Sequence, residues 1–162
     1  MKLCIFFLSV VLSFLTTQAQ LTVKTNCPEL VVDVLDGKVN GVKPNMPFPE
    51  MKTKFSCFTK AAEADSLKCG GGIFYADKDL YIYTARDYVE VGPKFKGRLT
   101  LPLLGADKSK LFSTLGNPKL KDAGWEAYPT SYGILIVYFD KKNKINRLIL
   151  SNRGTDNIQL CE

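Results

Sequence analysis

The chain has 162 residues, of which 46% are hydrophobic and 23% charged, with a formal net charge of +6 and no histidine. This length and composition indicate one folded domain or two small repeats, and they argue against a disordered chain. The absence of histidine excludes Ser-His-Asp and Cys-His catalysis and histidine-ligated zinc, and it removes the usual acid–base group near neutral pH.

Residues 1–19 have the pattern of a signal peptide. Lys2 precedes an apolar run at 3–15, and Thr17 and Ala19 occupy the small-residue positions that a signal peptidase needs. The run is shorter than the roughly 18 residues that span a bilayer, so no membrane span is expected. We predict cleavage after Ala19 and export to the periplasm or the outside of the cell. The formal charge would then fall from +6 to +5, because this segment holds one lysine and no acid.

The first predicted elements of the mature chain are a hairpin and a helix. Asp36-Gly37 lies between two apolar runs, which is a strong hairpin signal because both central residues of such a turn take positive φ. Pro49 suits a first helical turn, and Met51, Phe55 and Phe58 then form one apolar stripe.

Four cysteines remain after the predicted cleavage, namely Cys27, Cys57, Cys69 and Cys161. An even number in an exported chain predicts disulfides, with three possible connectivities. Cys57 and Cys69 flank the polar loop 58–68, so we expect them to pair, leaving Cys27 and Cys161 to close almost the whole chain. The spacings contain no C-x-x-C pair and histidine is lacking, so neither a metal site nor a cofactor is predicted.

The segment 72–91 predicts three short strands, separated by turns at 77–79 and 85–87. Within it, Tyr81 and Tyr83 share one face while Leu80 and Ile82 share the other. The tyrosine face could form a protein-binding surface or could pack under a helix, and periodicity alone leaves both open. The acids at 77–79 favour a turn, because aspartates there bond their own backbone.

The sequence "KFKGR" follows, with Lys94, Lys96 and Arg98 at alternate positions. In a strand these three cations would line one face, opposite Phe95. Together with Tyr81 and Tyr83 they form our candidate surface for an acidic protein partner. Nucleic acid is not a predicted partner, because the chain is expected to be exported.

A second round of elements begins with predicted strand in "KFKGRLTLPLL", 94–104. Residues 106–118 predict a short helix with Leu111, Phe112 and Leu115 on one face, ended by Gly116 and Pro118. Three strands follow within 125–151, and Trp125 and Tyr128 are expected in the core. The last residues, 155–162, are interpreted as an edge strand that carries Cys161 back to the fold.

The two rounds indicate an internal repeat. Phe55-Ser56 matches Phe112-Ser113, Tyr75 matches Tyr128, and "LYIYT" matches "GILIV". We therefore predict an α+β fold in which two β-β-α-β-β-β repeats, 20–92 and 93–162, form one compact unit. Short helices would cover one face of a twisted antiparallel sheet. The alternative is a single unrepeated α+β domain.

The helix, its "LGNP" end and the strands of "WEAYPTSYGILIVYFDKKNKINRLIL" resemble the tandem units of the β-lactamase inhibitory protein family. They are also similar to the small outer-membrane assembly lipoproteins of the SmpA type and to uncharacterised exported domains of Bacteroidetes-like bacteria. The chain lacks the lipobox cysteine of the SmpA group, since Cys4 precedes the apolar run. The resemblance implies a non-catalytic protein that binds another protein through one sheet face.

The residues thus predict an exported, non-enzymatic protein-binding module, such as an inhibitor or an immunity-type protein. Two alternatives stay open: a cell-envelope assembly factor, and a hydrolase that uses Asp or Glu without histidine. The hydrolase would need two carboxylates facing each other across a groove.

Overall fold

The structure, a computed structural model, describes residues 26–63 and 69–161 and has an α+β fold. The predicted signal peptide, 1–19, lies outside the described residues. Within the described part of the chain, no helix is both long enough and apolar enough to cross a membrane.

Two short helices and eleven strands, all within the described ranges, form the fold. The helices are α1 (Phe48–Lys54) and α2 (Leu111–Leu115), and single 3₁₀ turns lie at Ala76–Lys78 and Lys108–Lys110. In chain order the strands are β1 (Val31–Asp33), β2 (Lys38–Val39), β3 (Lys60–Ala62), β4 (Gly72–Tyr75), β5 (Leu80–Tyr83), β6 (Tyr88–Val91), β7 (Arg98–Leu99), β8 (Leu120–Lys121), β9 (Trp125–Thr130), β10 (Gly133–Phe139) and β11 (Ile145–Ser151).

Eight strands form one sheet in the order β3-β4-β5-β6-β11-β10-β9-β8, and every neighbouring pair is antiparallel. The sheet therefore consists of two four-stranded meanders whose last strands, β6 and β11, pair at its centre with Val91 opposite Leu148. Each meander follows one helix in the chain. Each has four strands after its helix, where the sequence predicted three.

A second, three-stranded sheet has the order β2-β1-β7. The predicted hairpin at Asp36-Gly37 is confirmed, because β1 and β2 are antiparallel with Val32 opposite Val39. Gly37 has a φ of 64° but Asp36 is not a positive-φ residue, so the connection differs from the two-residue turn that the sequence suggested. Strand β7 is parallel to β1, a long-range pairing that the sequence did not predict.

The core lies between the eight-stranded sheet on one side and the helices and the small sheet on the other. Strand alternation sends Leu80 and Ile82 into it, at 0% and 1% exposure. Met51 from α1 and Val32 from β1 belong to the same apolar cluster. The helices thus cover one face of the large sheet, which we call the covered face, and the small sheet lies on that face too.

Helix α2 does not bury all three predicted side chains. Leu111 is buried and Leu115 half-buried, but Phe112 is 66% exposed. Leu111 and Leu115 are four residues apart and share a face, whereas Phe112 is turned away by about 100° per residue. Gly116 ends the helix with a φ of 77°, as the sequence predicted.

All four predicted cysteines form disulfides, but the predicted pairing is wrong. The bonds are Cys27–Cys57 and Cys69–Cys161, with Cα atoms 5.8 and 5.4 Å apart. Cys57 follows α1, on the covered face, where the segment before β1 also lies. Cys69 and Cys161 belong to the opposite face. The large sheet therefore separates Cys57 from Cys69, although only a short loop joins them in sequence.

Candidate functional site: the open face of the large sheet

The second face of the eight-stranded sheet carries an apolar and aromatic surface, which we call the open face. Its side chains alternate along each strand with those of the core. In register, one row crosses seven neighbouring strands, from Phe74 through Tyr81, Glu90, Ile149, Ile136 and Ala127 to Leu120.

Aromatic rings dominate the first meander's part of the open face. Tyr81 and Tyr83 are half-buried there, and the two helices of the described residues pack on the other face. The ring centroid of Tyr83 lies 5.4 Å from that of Phe74 and 4.6 Å from that of Tyr88. Burial, with a smaller effect of the Glu90 charge, raises the pKa of Tyr83 to about 12. These phenols are therefore neutral hydrogen-bonding groups at physiological pH.

A polar group lies at the centre of the open face. Arg147 Nη1 is 3.5 Å from Glu90 Oε1, and its guanidinium lies 3.8 Å from the ring centroid of Tyr138. Burial raises the pKa of Glu90, and the charge of Arg147 only partly opposes this. The arrangement gives the face one cation that stacks on an aromatic ring, flanked by apolar side chains on both sides.

Residues 154–161, which we call the strap, cross the open face and do not form the predicted edge strand. At its start, Lys119 Nζ donates to Thr155 Oγ1 at 2.8 Å. At its end, Arg86 Nη1 donates to Gln159 Oε1 at 3.0 Å, and the backbone N–H of Cys161 donates to Tyr88 Oη at 3.1 Å. The Cys69–Cys161 disulfide fixes this end covalently.

The strap covers a second apolar cluster on the open face. Ile158 and Leu160 pack on a group that includes Tyr88, Ile134 and Ile149, each 2% exposed or less. Gln159, between the two apolar residues, is exposed. The strap begins with a turn at 155–157, in which the backbone N–H groups of Asn157 and Ile158 donate to Gly154 O. After this turn, Ile158 and Leu160 face the sheet and Gln159 faces solvent.

A groove of about 530 Å³ remains between the strap and the second meander. We call it the strap groove. Its sheet side is formed by Leu120, Trp125, Ala127, Ile134, Ile136 and Tyr138. Its strap side is formed by Thr155, Ile158 and Leu160. A concave, mainly apolar site of this volume is in the usual range for ligand sites.

A second hollow of about 470 Å³ lies over the first meander, on the same face. Phe74, Tyr81 and Tyr83 line it, together with Cys69 and Lys60. The open face thus presents two apolar depressions to either side of the fixed end of the strap.

Trp125 was expected in the core with Tyr128, and the structure separates the two. Tyr128 is buried in the core, as predicted, while Trp125 is half-buried in the strap groove. The residues are three apart in one strand, so alternation places them on opposite faces. Trp125 is the only tryptophan of the chain.

The structure does not bring the five predicted site residues together. Tyr81 and Tyr83 lie on the open face, but Lys94 and Lys96 lie in the loop between β6 and β7, beside the acids at 77–79. Of the three cations, only Arg98 lies in a strand, β7 of the small sheet, and its Nε is 3.6 Å from Glu29 Oε2. The expectation that the three cations line one strand face is therefore wrong, since Lys94 and Lys96 are outside any strand.

The acids at 77–79 form the predicted turn. Asp79 has a φ of 56°, and its Oδ2 accepts the backbone N–H of Lys94 at 2.8 Å. Among the described residues, no group of three or more Cys, Asp or Glu side chains is placed to hold a metal ion.

Sequence reasoning missed a polar cluster on the covered face. Tyr128 Oη donates to Glu126 Oε2, and Lys108 Nζ lies 3.0 Å from Glu126 Oε1. Burial raises the pKa of the Glu126 carboxyl, but the hydrogen bonds from Tyr128 and Lys108 together outweigh it, so the pKa lies below its usual value. The signal was present in the sequence, because Glu126 and Tyr128 are two apart and so share a strand face.

The fold defines the class of the molecule as an α+β protein with a helix-covered antiparallel sheet. Comparison of the chain with protein families, with curated proteins and with solved structures found no match. The resemblance to the β-lactamase inhibitory protein and SmpA families therefore stays a prediction.

Proposed function

We propose that this chain is an exported, non-enzymatic module that binds another protein through the open face, as an inhibitor or an immunity-type protein does. One observation carries the proposal: an aromatic and apolar sheet face leaves a strap groove of about 530 Å³ accessible beside a fixed strap. Interface cores are rich in tyrosine, tryptophan and arginine, and depleted in other charges.

A protein partner fits this face better than a small molecule does. The strap groove and the hollow over Tyr81 and Tyr83 are separate depressions on one surface. Trp125 lies in one and Tyr83 in the other, and such residues are common anchors of binding energy. One compact ligand fills one depression, whereas a protein surface can contact both.

The charge of the chain favours an acidic partner. The formal charge of +6, or +5 after removal of Lys2, gives a positive field that speeds the encounter with acidic proteins. Export is supported by the two disulfides, which persist in oxidising compartments. Nucleic acid is not proposed as a partner.

We also propose that the two meanders are copies of one unit, 20–92 and 93–162. Tyr75 and Tyr128, matched in sequence, occupy the second strands of their meanders, β4 and β9. The matched segments 80–84 and 133–137 supply the third strands, β5 and β10. The matched pair Phe55 and Phe112 differs, because Phe55 is buried and Phe112 exposed.

The test is a search for partners with the mature, oxidised protein. It would be immobilised and exposed to exported proteins of its source, and candidates would be verified by calorimetry against the variant Tyr81→Ala/Tyr83→Ala. Leu35→Ala is the matched control, since Leu35 is an exposed apolar residue of the β1–β2 connection. We expect a stoichiometric partner whose affinity falls in the tyrosine variant and not in the control. Turnover of a substrate by the purified protein, or no protein ligand at all, would refute the proposal.

A further inference from the structure

We propose that the strap groove takes an extended, acidic polypeptide segment with large apolar side chains at alternate positions. This inference rests on the proposed function and makes it more specific. It states which part of the open face makes the main contact and which side chains the partner presents there.

The strap itself shows which chemistry the open face accepts. Ile158 and Leu160 point to the sheet and pack beside Ile134, while Gln159 between them is exposed. Near the strap's start, Asp156 Oδ1 is 3.8 Å from Lys119 Nζ. A short segment with apolar residues two apart thus already packs on this face, and the turn before it places an exposed carboxylate near a lysine. The strap groove continues the same surface, since Ile134 and Ile136 line it as well.

The walls of the strap groove are fixed before any partner arrives. The strap is bound at one end by the Cys69–Cys161 disulfide and the Tyr88 hydrogen bond, and at the other by the bond from Lys119 to Thr155. The opposite wall belongs to paired strands. A preformed site avoids the ordering cost that a loose surface would incur on binding.

Positive charge borders the groove where β10 ends. Tyr138 lines the groove, and Arg147 stacks on its ring. Lys141 and Lys142 are exposed in the turn that follows β10, within about 13 Å of Tyr138 along the chain. Asp140, the acid of this turn, accepts the backbone N–H of Lys142 at 2.8 Å. Carboxylates next to the apolar side chains of the partner segment would therefore lie close to these cations, where β10 ends.

The apolar sheet side of the strap groove favours a large apolar side chain from the partner. Trp125 and Leu120 lie on adjacent strands at the outer side of the groove, and Leu120 is 45% exposed. An aromatic or long aliphatic side chain inserted there would cover both. Leu120 is the residue to change, because its exposure allows a charged replacement without disturbing the core.

The experiment is selection from a random-peptide library on the mature, oxidised protein, followed by titration of the enriched peptides. Trp125 is the only tryptophan, so its fluorescence reports occupation of the groove when the peptides lack tryptophan. The variants are Leu120→Glu and Lys141→Glu/Lys142→Glu. Their controls are Leu35→Glu, another exposed leucine, and Lys52→Glu/Lys54→Glu, an exposed lysine pair on α1. Thermal unfolding of each variant verifies the fold.

We expect enriched peptides with alternating large apolar residues and flanking Asp or Glu, which shift the Trp125 emission. Leu120→Glu should reduce the affinity for these peptides by about tenfold or more, since it places a charge in an apolar contact. Lys141→Glu/Lys142→Glu should reduce the affinity by about three- to tenfold at low salt and by less at high salt. Both controls should bind as the original protein does.

Three results would overturn the inference. If the peptides bind Leu120→Glu with the same affinity as the original protein, their main contact lies outside the strap groove. In that case, a loss of partner binding in Tyr81→Ala/Tyr83→Ala would still support the proposed protein-binding function. Enriched peptides that are basic would refute the charge argument. Trp125 emission that responds to a fatty acid and to no peptide would make the groove a small-molecule site. Failure of the proposed function is distinct, because it requires catalytic turnover or the absence of any protein ligand.

Discussion

The backbone N–H of Cys161 donates a 3.1 Å hydrogen bond to the phenol oxygen of Tyr88, in the middle of the open face. Burial raises the pKa of Tyr88, although the bond from Cys161 opposes this, so the phenol stays neutral and can accept the bond over the whole physiological pH range. The strap is therefore attached to the sheet at its end by both a covalent and a hydrogen bond.

Replacing Cys69 and Cys161 by serine should release the strap. This disulfide joins residues 92 apart and Cys27–Cys57 joins residues 30 apart, so the chain-entropy model gives losses of about 4–5 and 3–4 kcal/mol. Urea unfolding measures both. Only the loss of Cys69–Cys161 should also increase acrylamide quenching of Trp125, because only this bond holds the wall of its groove. Equal quenching in the Cys27→Ser/Cys57→Ser protein would contradict the role of the strap.

The two faces of β5 should respond differently to truncation. Ile82→Ala removes a side chain that is 1% exposed and should reduce the free energy of unfolding by about 2–5 kcal/mol. Tyr81→Ala removes a half-buried side chain from the open face and should cost less than about 1 kcal/mol. Chemical denaturation of both variants provides the comparison. A larger loss for Tyr81→Ala would mean that the open face is part of the core.

This difference between faces could be predicted from the sequence, because period-two alternation in "LYIY" separates tyrosines from aliphatic residues. Which of the two faces packs against the helices could not be predicted from the sequence, since this depends on where the rest of the chain lies. The small sheet illustrates this dependence. Strand β7 pairs with β1 across more than 60 residues, and no local pattern marks that partner.

The strap shows a second limit of sequence reasoning. Alternation of Ile158 and Leu160 correctly indicates a segment with one apolar side. It does not distinguish a strand that pairs at a sheet edge from a segment that crosses a sheet face, because both bury alternate side chains. The wrong disulfide pairing has the same origin, since Cys57 and Cys69 are close in sequence but belong to opposite faces of the sheet.

Of the first two residues of helix α2, only Leu111 should contribute substantially to the free energy of unfolding. Leu111→Ala should reduce the free energy of unfolding by about 2–5 kcal/mol, because Leu111 is 2% exposed and belongs to the core. Phe112→Ser should change it by no more than about 0.5 kcal/mol, since Phe112 is 66% exposed. Thermal and urea unfolding measure both effects. Similar losses in the two variants would show that Phe112 packs on the core as Leu111 does, as the sequence had predicted.

The stability contributed by Glu126 should depend on pH. Its pKa lies below the ordinary value of 4.5 in the folded protein, so the folded state binds this proton more weakly than the unfolded state does. The stabilisation is complete above about pH 4.5 and is lost as the pH falls through the folded pKa. Glu126→Gln should therefore cost about 1–3 kcal/mol at pH 7, through its bonds to Tyr128 and Lys108, and progressively less below pH 4.5.

Urea unfolding of the original protein and of Glu126→Gln, followed from pH 7 down to acid, measures this difference directly. Glu50→Gln is the control, because Glu50 is an exposed glutamate in the first turn of α1. The control should unfold with nearly the same free energy as the original protein throughout the series. A Glu126→Gln cost that stays constant into acid would show that the lost interaction is packing of the side chain, and that the carboxylate charge does not stabilise the fold.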